Sequence, residues 1–335
     1  MDHPLVSVII PTIKRPYYLK RAIEGVLKQS YDNLEIIVVI DGMSSKTVEL
    51  IDSYKNKSGI SLQWIETGKK VGGSEARNIG AQKAQGDFIA LLDDDDEWLG
   101  DKIVAQLNLI KEYTLTEKDS FVCFTSIYVY ESSDQKKYKQ LPIVSYLDSR
   151  KERIADYLFE ANGLKRIGLI QTSTILTPRH LLLQYPFTKG LPKHQDWDWL
   201  LKVDQLPDLQ VLQVNQPMVI YHSDVPKEKR IGLANHWRFS EEWLSEHRDS
   251  FGKNAYETFL LDILIPGIIT DESLSGTERT IEIKRILYKL SLRAYSRPFT
   301  WKMLSYSIIR KNDYFFKKIQ HSSLLMSVKN WLLYV

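Results

Sequence analysis

Four aspartates and a glutamate occupy residues 93–97, directly after the apolar run of residues 88–92. Adjacent carboxylates repel one another, and burying one without a partner costs several kcal/mol. A metal cation neutralises such a group through its carboxylate oxygens, and the end of a buried strand is a common ligand-binding position. The run therefore predicts a cation site, with a solvated acidic turn as the alternative.

The elements that would position this run alternate regularly through the first hundred residues. Apolar runs predict strands at 5–11, 34–41, 61–67 and 87–93, and helical spacing predicts helices at 17–30, 46–55 and 74–85. Continuous apolar strands separated by helices indicate an α/β fold with a mainly parallel central sheet flanked by helices. Functional groups gather beyond the carboxyl ends of such strands, where this chain has Pro11, Thr12, Asp41 and the acidic run.

The rest of the chain is less regular. Residues 121–130 predict a further strand, and residues 131–140 predict a polar loop. Within the following segment, Asp196 and Asp198 open a helix, and from Lys227 onward the sequence is helical. We predict a first domain of residues 1–225 and a helical extension of residues 226–335.

Composition restricts the class of protein. The chain has 335 residues, 43% of them hydrophobic, and a single cysteine, Cys123, which excludes an internal disulfide framework and a cysteine-rich zinc site. Because it has neither a leader-like N-terminus nor an uncharged apolar span of ~20 residues, we predict a cytoplasmic protein. Residues 284–335 carry eleven basic residues and one acid, whereas the preceding part has a net charge of −7. The acidic body and the basic tail predict two different roles.

Four separated segments resemble a known family in their order and spacing. They are VSVIIPT, LEIIVVIDG, GGSEARNIGAQKAQGDFIALLDDDDEW and QDWDWLLKV. Over about residues 5–205, the chain resembles the family 2 glycosyltransferases, which bind nucleotide-sugars with a GT-A fold. The resemblance implies a GT-A-like fold and a metal-dependent, inverting sugar transfer. P-loop and GxGxxG phosphate motifs are absent from the sequence.

The acidic run resembles the DxD motif of that family. The resemblance implies that Asp95 coordinates Mn²⁺ or Mg²⁺, which bridges to the diphosphate of the donor. It also implies that Asp93 and Asp94 face the ribose or the waters around the metal. For Asp96 and Glu97, we expect either contacts to water or simple solvation.

The ends of the first two strands match the part of the family that contacts the base. The resemblance implies that Asp41 accepts a hydrogen bond from a pyrimidine N3–H, although Ile40 stands where many relatives have a second acid. A turn aspartate is the alternative. Pro11, Thr12 and Arg15 match the loop that shapes the base pocket, and a surface role is the alternative for Arg15.

The third predicted helix and the late acidic pair match two more motifs. The family has an arginine like Arg77 beside the base or the phosphates, and the alternative is a surface pair one turn apart on the helix. Asp196 matches the catalytic aspartate, the base that takes a proton from the acceptor hydroxyl. Gln195 stands where glutamate is commoner, and Asp198 is the competing base or an acceptor contact. Trp197 is predicted to stack on a sugar, with a core position as the alternative.

Two features remain outside these motifs. His222, at the end of a late strand, is predicted as a third metal ligand, with a hydrogen-bonded structural histidine as the alternative. The tail after Lys284 mixes ten aromatic with eleven basic residues. Such a composition suits an anionic membrane surface. Packing on the catalytic domain and a contact in a homo-oligomer are the alternatives, and nucleic acid is not a predicted partner.

The combined prediction is a glycosyltransferase that moves a sugar from a nucleotide-diphosphate donor, UDP by preference, to a glycan or lipid-linked acceptor. The predicted setting is bacterial surface polysaccharide synthesis at the inner face of the membrane. A sugar nucleotidyltransferase is the rival enzyme, although the first strand–helix turn lacks the glycine-rich loop expected of it. A non-catalytic nucleotide-binding scaffold is the rival outside enzymes.

Overall fold

The structure, a computed structural model, describes residues 3–54, 59–131, 137–142, 145–146, 153–166, 168–222 and 235–311. The strands are β1 (Val6–Thr12), β2 (Leu34–Ile40), β3 (Ser61–Glu66), β4 (Phe88–Leu91), β5 (Glu97–Trp98), β6 (Phe121–Glu131), β7 (Lys137–Leu141), β8 (Ala161–Asn162), β9 (Lys165–Arg166), β10 (Leu176–Pro178) and β11 (Gln210–His222). The helices are α1 (Pro16–Leu27), α2 (Ser45–Asp52), α3 (Gly73–Lys83), α4 (Lys102–Glu112), α5 (Ile154–Phe159), α6 (Arg179–Gln184), α7 (Gln195–Val203), α8 (Trp237–Glu246), α9 (Lys253–Phe259), α10 (Ile265–Thr270), α11 (Gly276–Leu287) and α12 (Pro298–Lys311).

The central sheet is mixed, with the order β3-β2-β1-β4-β10-β6-β11-β5, and β7 is added beside β6. Its first four strands are parallel to one another, as predicted. The short strand β10 then lies antiparallel between β4 and β6. Strand β11 is parallel to β6, while β5 and β7 pair antiparallel with their neighbours. The predicted α/β architecture is confirmed, and the parallel arrangement holds for one half of the sheet.

Burial explains why the parallel half forms. All seven residues of β2 are buried, because helices cover both faces of the sheet. Helix α1 begins at Pro16, a favoured first helical position, and buries Leu19, Ala22, Ile23 and Val26 on the predicted face. Since parallel strands end at a common edge, Thr12, Asp41 and Asp93 are brought to one side of the sheet.

Contacts within the chain divide it into two compact units, one of Met1–Ile154 with Gly168–Gly232 and one of Ala155–Ile167 with Leu233–Val335. In the described part of the second unit, α5, α8 and α9 contribute Phe159, Trp243 and Phe259 to an aromatic cluster. Helix α11 begins with a capping box between Ser275 and Glu278. None of the described helices is long and apolar enough to cross a bilayer. A domain boundary at residue 225 stays a prediction.

Candidate active site

The acidic run forms a turn between β4 and β5. Asp94 is 1% exposed and accepts a 2.5 Å hydrogen bond from Thr12 Oγ1. The Arg15 guanidinium donates to both carboxylate oxygens of Asp94, and its Nη1 lies 3.2 Å from Asp95 Oδ2. Burial raises the pKa of Asp94 to about 7, although Arg15 acts to lower it. Arg15 therefore braces the acidic turn from the N-cap position of α1, where its side chain is 16% exposed.

Arg77 connects the acidic turn to the distant helix α7. Its Nη2 donates to Asp93 Oδ1 at 2.6 Å, and its Nη1 donates to Gln195 Oε1 at 3.0 Å. The Arg77 side chain is largely buried and lies over the ring of Phe187. The alternative of a surface pair along the helix is therefore wrong. The Arg77–Gln195 hydrogen bond joins residues that are 118 positions apart in sequence.

The polar side chains of Gln171 and Ser173 hydrogen-bond to the acidic turn and hold it in place. The backbone N–H of Asp93 donates to Ser173 Oγ at 3.0 Å. Asp96 Oδ2 accepts from Ser173 Oγ at 2.6 Å and from Gln171 Nε2 at 2.7 Å. Complete burial raises the pKa of Asp96 well above its ordinary value. Asp96 is thus a buried structural residue, and the expected contact with water is wrong for it.

Asp196 lies in the first turn of α7. Its Oδ1 accepts from the backbone N–H of Trp197 at 3.0 Å, and its Oδ2 accepts from Thr172 Oγ1 at 3.4 Å. Burial raises the pKa of Asp196, Arg77 lowers it, and the charge of Asp93 raises it. A raised pKa makes a carboxylate a better proton acceptor, which suits a general base.

The neighbours of Asp196 on α7 face other partners. Asp198 is buried, and its Oδ2 accepts a 2.6 Å hydrogen bond from Thr188 Oγ1. The Trp197 ring is stacked on His194, with 4.6 Å between the ring centroids. Since one face of the indole is covered in this way, a sugar would have to use the other face. Burial lowers the pKa of His194 to about 3, so this ring is neutral at physiological pH.

Asp41 positions the loop that opens α3. Its two carboxylate oxygens accept hydrogen bonds from the backbone N–H groups of Val71, at 2.5 Å, and Gly72, at 3.0 Å. Gly72 has φ = +87°, a conformation that favours glycine. The aspartate is therefore part of the scaffold of this edge, together with Pro11 at the end of β1. Its predicted contact with a pyrimidine base stays a prediction.

His222 reaches the acidic turn from β11. Strand β11 pairs with β5, and His222 Nε2 lies 3.1 Å from Glu97 Oε2. The hydrogen bond with His222 lowers the pKa of Glu97. His222 Nδ1 is buried without a hydrogen-bond partner. The ring is held in place through Glu97, and its role as a metal ligand stays a prediction.

The chemistry of the donor set fits a hard divalent cation. The side chains of Asp93 and Asp95 are 26% and 23% exposed, so both carboxylates reach the surface of the turn. Burial and the neighbouring charge of Asp93 raise the pKa of Asp95, and a cation would relieve that repulsion. Among the described residues, no three His, Cys, Asp or Glu side chains converge to hold a metal by themselves. A cation here would need further oxygens, such as those of a phosphate.

The sequence did not reveal every residue of this site. Gln171, Thr172 and Ser173 come from the segment that showed little periodicity, and Arg21 donates from α1 to the backbone carbonyl of Asp95. The run of four polar residues at 171–174, directly before the apolar residues of β10, was the available signal. Because this run resembles an ordinary turn, its role in the site was not predicted.

Comparison with known proteins assigns the family. Residues 7–169 match the family model described as glycosyl transferase family 2. The chain is 30% identical over 218 residues to the amylovoran biosynthesis glycosyltransferase AmsB of Erwinia amylovora, which covers 64% of this chain and 69% of that protein. It is 31% identical over 180 residues to the putative teichuronic acid biosynthesis glycosyltransferase TuaG of Bacillus subtilis, which covers 53% of this chain and 69% of that protein. The chain therefore belongs to glycosyl transferase family 2.

Solved structures agree on the fold. The crystal structure of S. aureus TarS matches 92% of this chain with a TM-score of 0.58 and 16% identity, and this chain spans 54% of TarS. The mannosyltransferase PcManGT from Pyrobaculum calidifontis, solved with GDP-Man and Mn²⁺, matches 92% of this chain and 87% of its own with a TM-score of 0.52 and 15% identity. These structures confirm the predicted GT-A-like fold, and membership of the family confirms the predicted glycosyltransferase class.

Proposed function

We propose that this glycosyltransferase moves a sugar from a nucleotide-diphosphate donor, UDP by preference, to a glycan or lipid-linked acceptor, with inversion and with Mn²⁺ or Mg²⁺. The observation that carries the proposal is the Arg77 bridge between the acidic turn and α7, because it joins a donor half to an acceptor half. Relatives named for amylovoran and teichuronic acid biosynthesis support a role in bacterial surface polysaccharides. Such a role would place the protein on the cytoplasmic side of the membrane.

The donor half is built on the acidic turn. Structures of TarS with UDP-GlcNAc and of PcManGT with GDP-Man and Mn²⁺ support a nucleotide-sugar and a divalent metal. Asp95 would hold the metal, with Asp93 beside it and His222 as a candidate third ligand. When bound, the metal would neutralise the charge that develops on the departing diphosphate. Arg15 and Arg77 keep the carboxylates in position by pairing with Asp94 and Asp93.

The base pocket would lie at the ends of β1 and β2. Pro11 and Thr12 end the first strand, and Asp41 follows the second. Asp41 holds two backbone N–H groups, and a carboxylate oxygen has a second lone pair that can accept from a pyrimidine N3–H. This capacity supports the proposed contact with the base.

The acceptor half is built on α7. Asp196 would take the proton of the acceptor hydroxyl as its oxygen attacks the anomeric carbon, while the bond from that carbon to the diphosphate oxygen breaks. Attack on the face opposite the departing group inverts the anomeric centre. Thr172 and the backbone N–H of Trp197 orient the carboxylate. Trp197 and Asp198 would contribute to the acceptor surface.

The substitution Asp196→Asn tests this assignment. It retains the size and most of the hydrogen bonding but removes the ability to accept a proton. We expect turnover to fall by roughly 10²–10⁴, the usual contribution of a positioned general base. The affinity for UDP with Mn²⁺, measured by calorimetry, should stay within a few-fold of the wild-type value. Initial rates of donor consumption with a membrane-derived acceptor fraction provide the activity readout.

Asp198→Asn is the matched control, since it makes the same change two residues along the helix. Its carboxylate accepts from Thr188, so its loss should cost less than tenfold in turnover. Melting curves of both variants separate unfolding from chemistry. Full turnover in Asp196→Asn together with loss in Asp198→Asn would transfer the role to Asp198. Unchanged turnover in both would reject the proposed mechanism.

A further inference from the structure

Exposed apolar residues are concentrated in the last described helices of the second unit. Tyr288 is 88% exposed and Leu292 is 91% exposed, while Ile281 and Trp301 are each 59% exposed. Single exposed apolar residues are normal on a soluble protein. Four of them fall within 21 residues of sequence, which singles out this part of the second unit as a candidate for contact with an apolar partner.

Helical geometry places three of the exposed residues on one stripe. Ile281, Lys284 and Tyr288 are three and then four residues apart, so they follow one face of α11 and its C-cap. Ile286 lies on the buried side of the same helix. Leu292 and Arg293 continue the exposed surface after the helix. The stripe therefore alternates apolar side chains with basic ones.

Trp301 is anchored with part of its ring exposed. Its indole Nε1 donates to the Tyr295 carbonyl at 2.7 Å, so the polar atom of the ring is already bonded within the protein. An interfacial tryptophan has this combination of an apolar body and a satisfied polar group. Because Tyr295 Oη donates to the Leu287 carbonyl, Trp301 lies near the C-terminal end of α11 and adds another exposed apolar side chain there.

Basic residues predominate in this region after the two glutamates of α11, Glu278 and Glu282. Residues 284–311 contain eight Lys or Arg and no Asp or Glu. Some of these cations are matched within the unit, since Arg285 and Lys289 pair with Glu241 and Arg297 pairs with Glu257. Lys284 and Arg293 are exposed among the apolar side chains. A basic and apolar surface favours an anionic, apolar partner.

We propose that the basic-aromatic face, defined as Ile281, Lys284, Tyr288, Leu292, Arg293 and Trp301, docks on the surface of an anionic lipid bilayer. Aromatic and leucine side chains would enter the boundary of the acyl chains, and Lys284 and Arg293 would meet the headgroups. A second copy of the chain fits less well, because a two-fold contact would oppose two basic faces. The proposal is independent of the sugar-transfer chemistry.

The test is co-sedimentation of the full chain with vesicles of phosphatidylcholine alone or with 30% phosphatidylglycerol. We expect binding to the anionic vesicles that weakens as salt is raised. Each basic residue near such a surface is worth about 1 kcal/mol, or about fivefold. Lys284→Gln with Arg293→Gln should therefore weaken binding by about 25-fold. Tyr288→Ser with Leu292→Ser should weaken it by at least tenfold.

A matched control makes the same kinds of change elsewhere. Lys111→Gln with Tyr113→Ser alters one exposed cation and one exposed aromatic residue at the end of α4. This control should bind vesicles as the wild type does. Because all the altered side chains are exposed, each variant should melt at the wild-type temperature.

Several outcomes would overturn the proposal. If the face variants bound vesicles as tightly as the wild type, any membrane contact would lie elsewhere on the protein. Equal binding to neutral and anionic vesicles would reject the electrostatic part of the argument. Absence of binding by the wild type would reject the proposal as a whole. If light scattering instead showed an oligomer that the face variants dissociate, the face would be a contact between copies.

Discussion

Because α3 packs closely on β1, we predict that Gly80→Ala destabilises the protein, whereas helix propensity predicts that it stabilises the protein. Gly80 lies in the interior of α3, where glycine is less favourable than alanine by about 1 kcal/mol. Propensity alone therefore predicts that Gly80→Ala stabilises the protein. However, a Cβ at position 80 would lie 2.5 Å from Ile9 Cγ2, well inside van der Waals contact.

The neighbour of Gly80 has little freedom to move. Ile9 is completely buried on the central strand β1, and its Cγ2 is attached to the stiff, branched Cβ. Relieving the clash requires a shift of α3 or β1, and overpacking of this kind costs about 1–3 kcal/mol. After the propensity gain of about 1 kcal/mol, we expect Gly80→Ala to lose up to about 2 kcal/mol of unfolding free energy. Because α3 also carries Arg77, turnover should fall as well.

Thermal unfolding of the full chain, with urea unfolding as a second measurement, checks this expectation. A loss of 1 kcal/mol lowers Tm by about 2–4 °C in a domain of 150–250 residues. Gly276→Ala, at the exposed start of α11, is the control, since an added Cβ there meets no atom within 4 Å. The control should leave Tm unchanged or slightly raised. A rise of Tm in Gly80→Ala would refute the packing argument.

Two further predictions concern buried polar groups behind the site. Ser173→Ala removes the acceptor of the Asp93 N–H and a donor to buried Asp96, so it should destabilise the protein by about 1–3 kcal/mol and weaken binding of UDP with Mn²⁺. Calorimetry that gave wild-type affinity would show that Ser173 does not position the turn. Lys102 is buried and donates to Gln106, and burial lowers the pKa of Lys102 to about 7. The unfolded chain holds this proton up to about pH 10, so wild-type stability should rise relative to Lys102→Met by on the order of 3 kcal/mol between pH 7 and 9.5. A constant difference between the two melting series would show that the pKa of Lys102 is not lowered in the folded protein.

The sequence predicted the parts of the fold that repeat a local pattern. Strands β1, β2 and β4 read as continuous apolar runs, and their carboxyl ends had to meet because the strands are parallel. The apolar pattern is therefore sufficient to predict that Thr12, Asp41 and Asp93 lie at one edge of the sheet. Arg15 and Arg77 were also identified, although only through a family resemblance.

Other parts depend on contacts that no local pattern contains. Strand β10 has three residues, too few for a periodic signal, and its place between β4 and β6 comes from antiparallel pairing. The Arg77–Gln195 hydrogen bond joins residues 118 positions apart. The role of Asp41 as an acceptor for two loop N–H groups depends on the path of that loop. In each case tertiary packing, rather than propensity, decides the structure.

The position of β10 has a consequence for synthesis of the chain on the ribosome. Strand β4 can pair with β1 as soon as both have emerged, but its other edge is covered by β10, about 85 residues later. At 5–20 residues per second, that apolar edge stays uncovered for roughly 4–17 s. An open strand edge is a template for pairing with other chains. A nascent chain halted before Leu176 therefore exposes an aggregation-prone edge of β4. The edge is covered once β10 is synthesised, directly after Gln171 and Ser173, which hold the acidic turn.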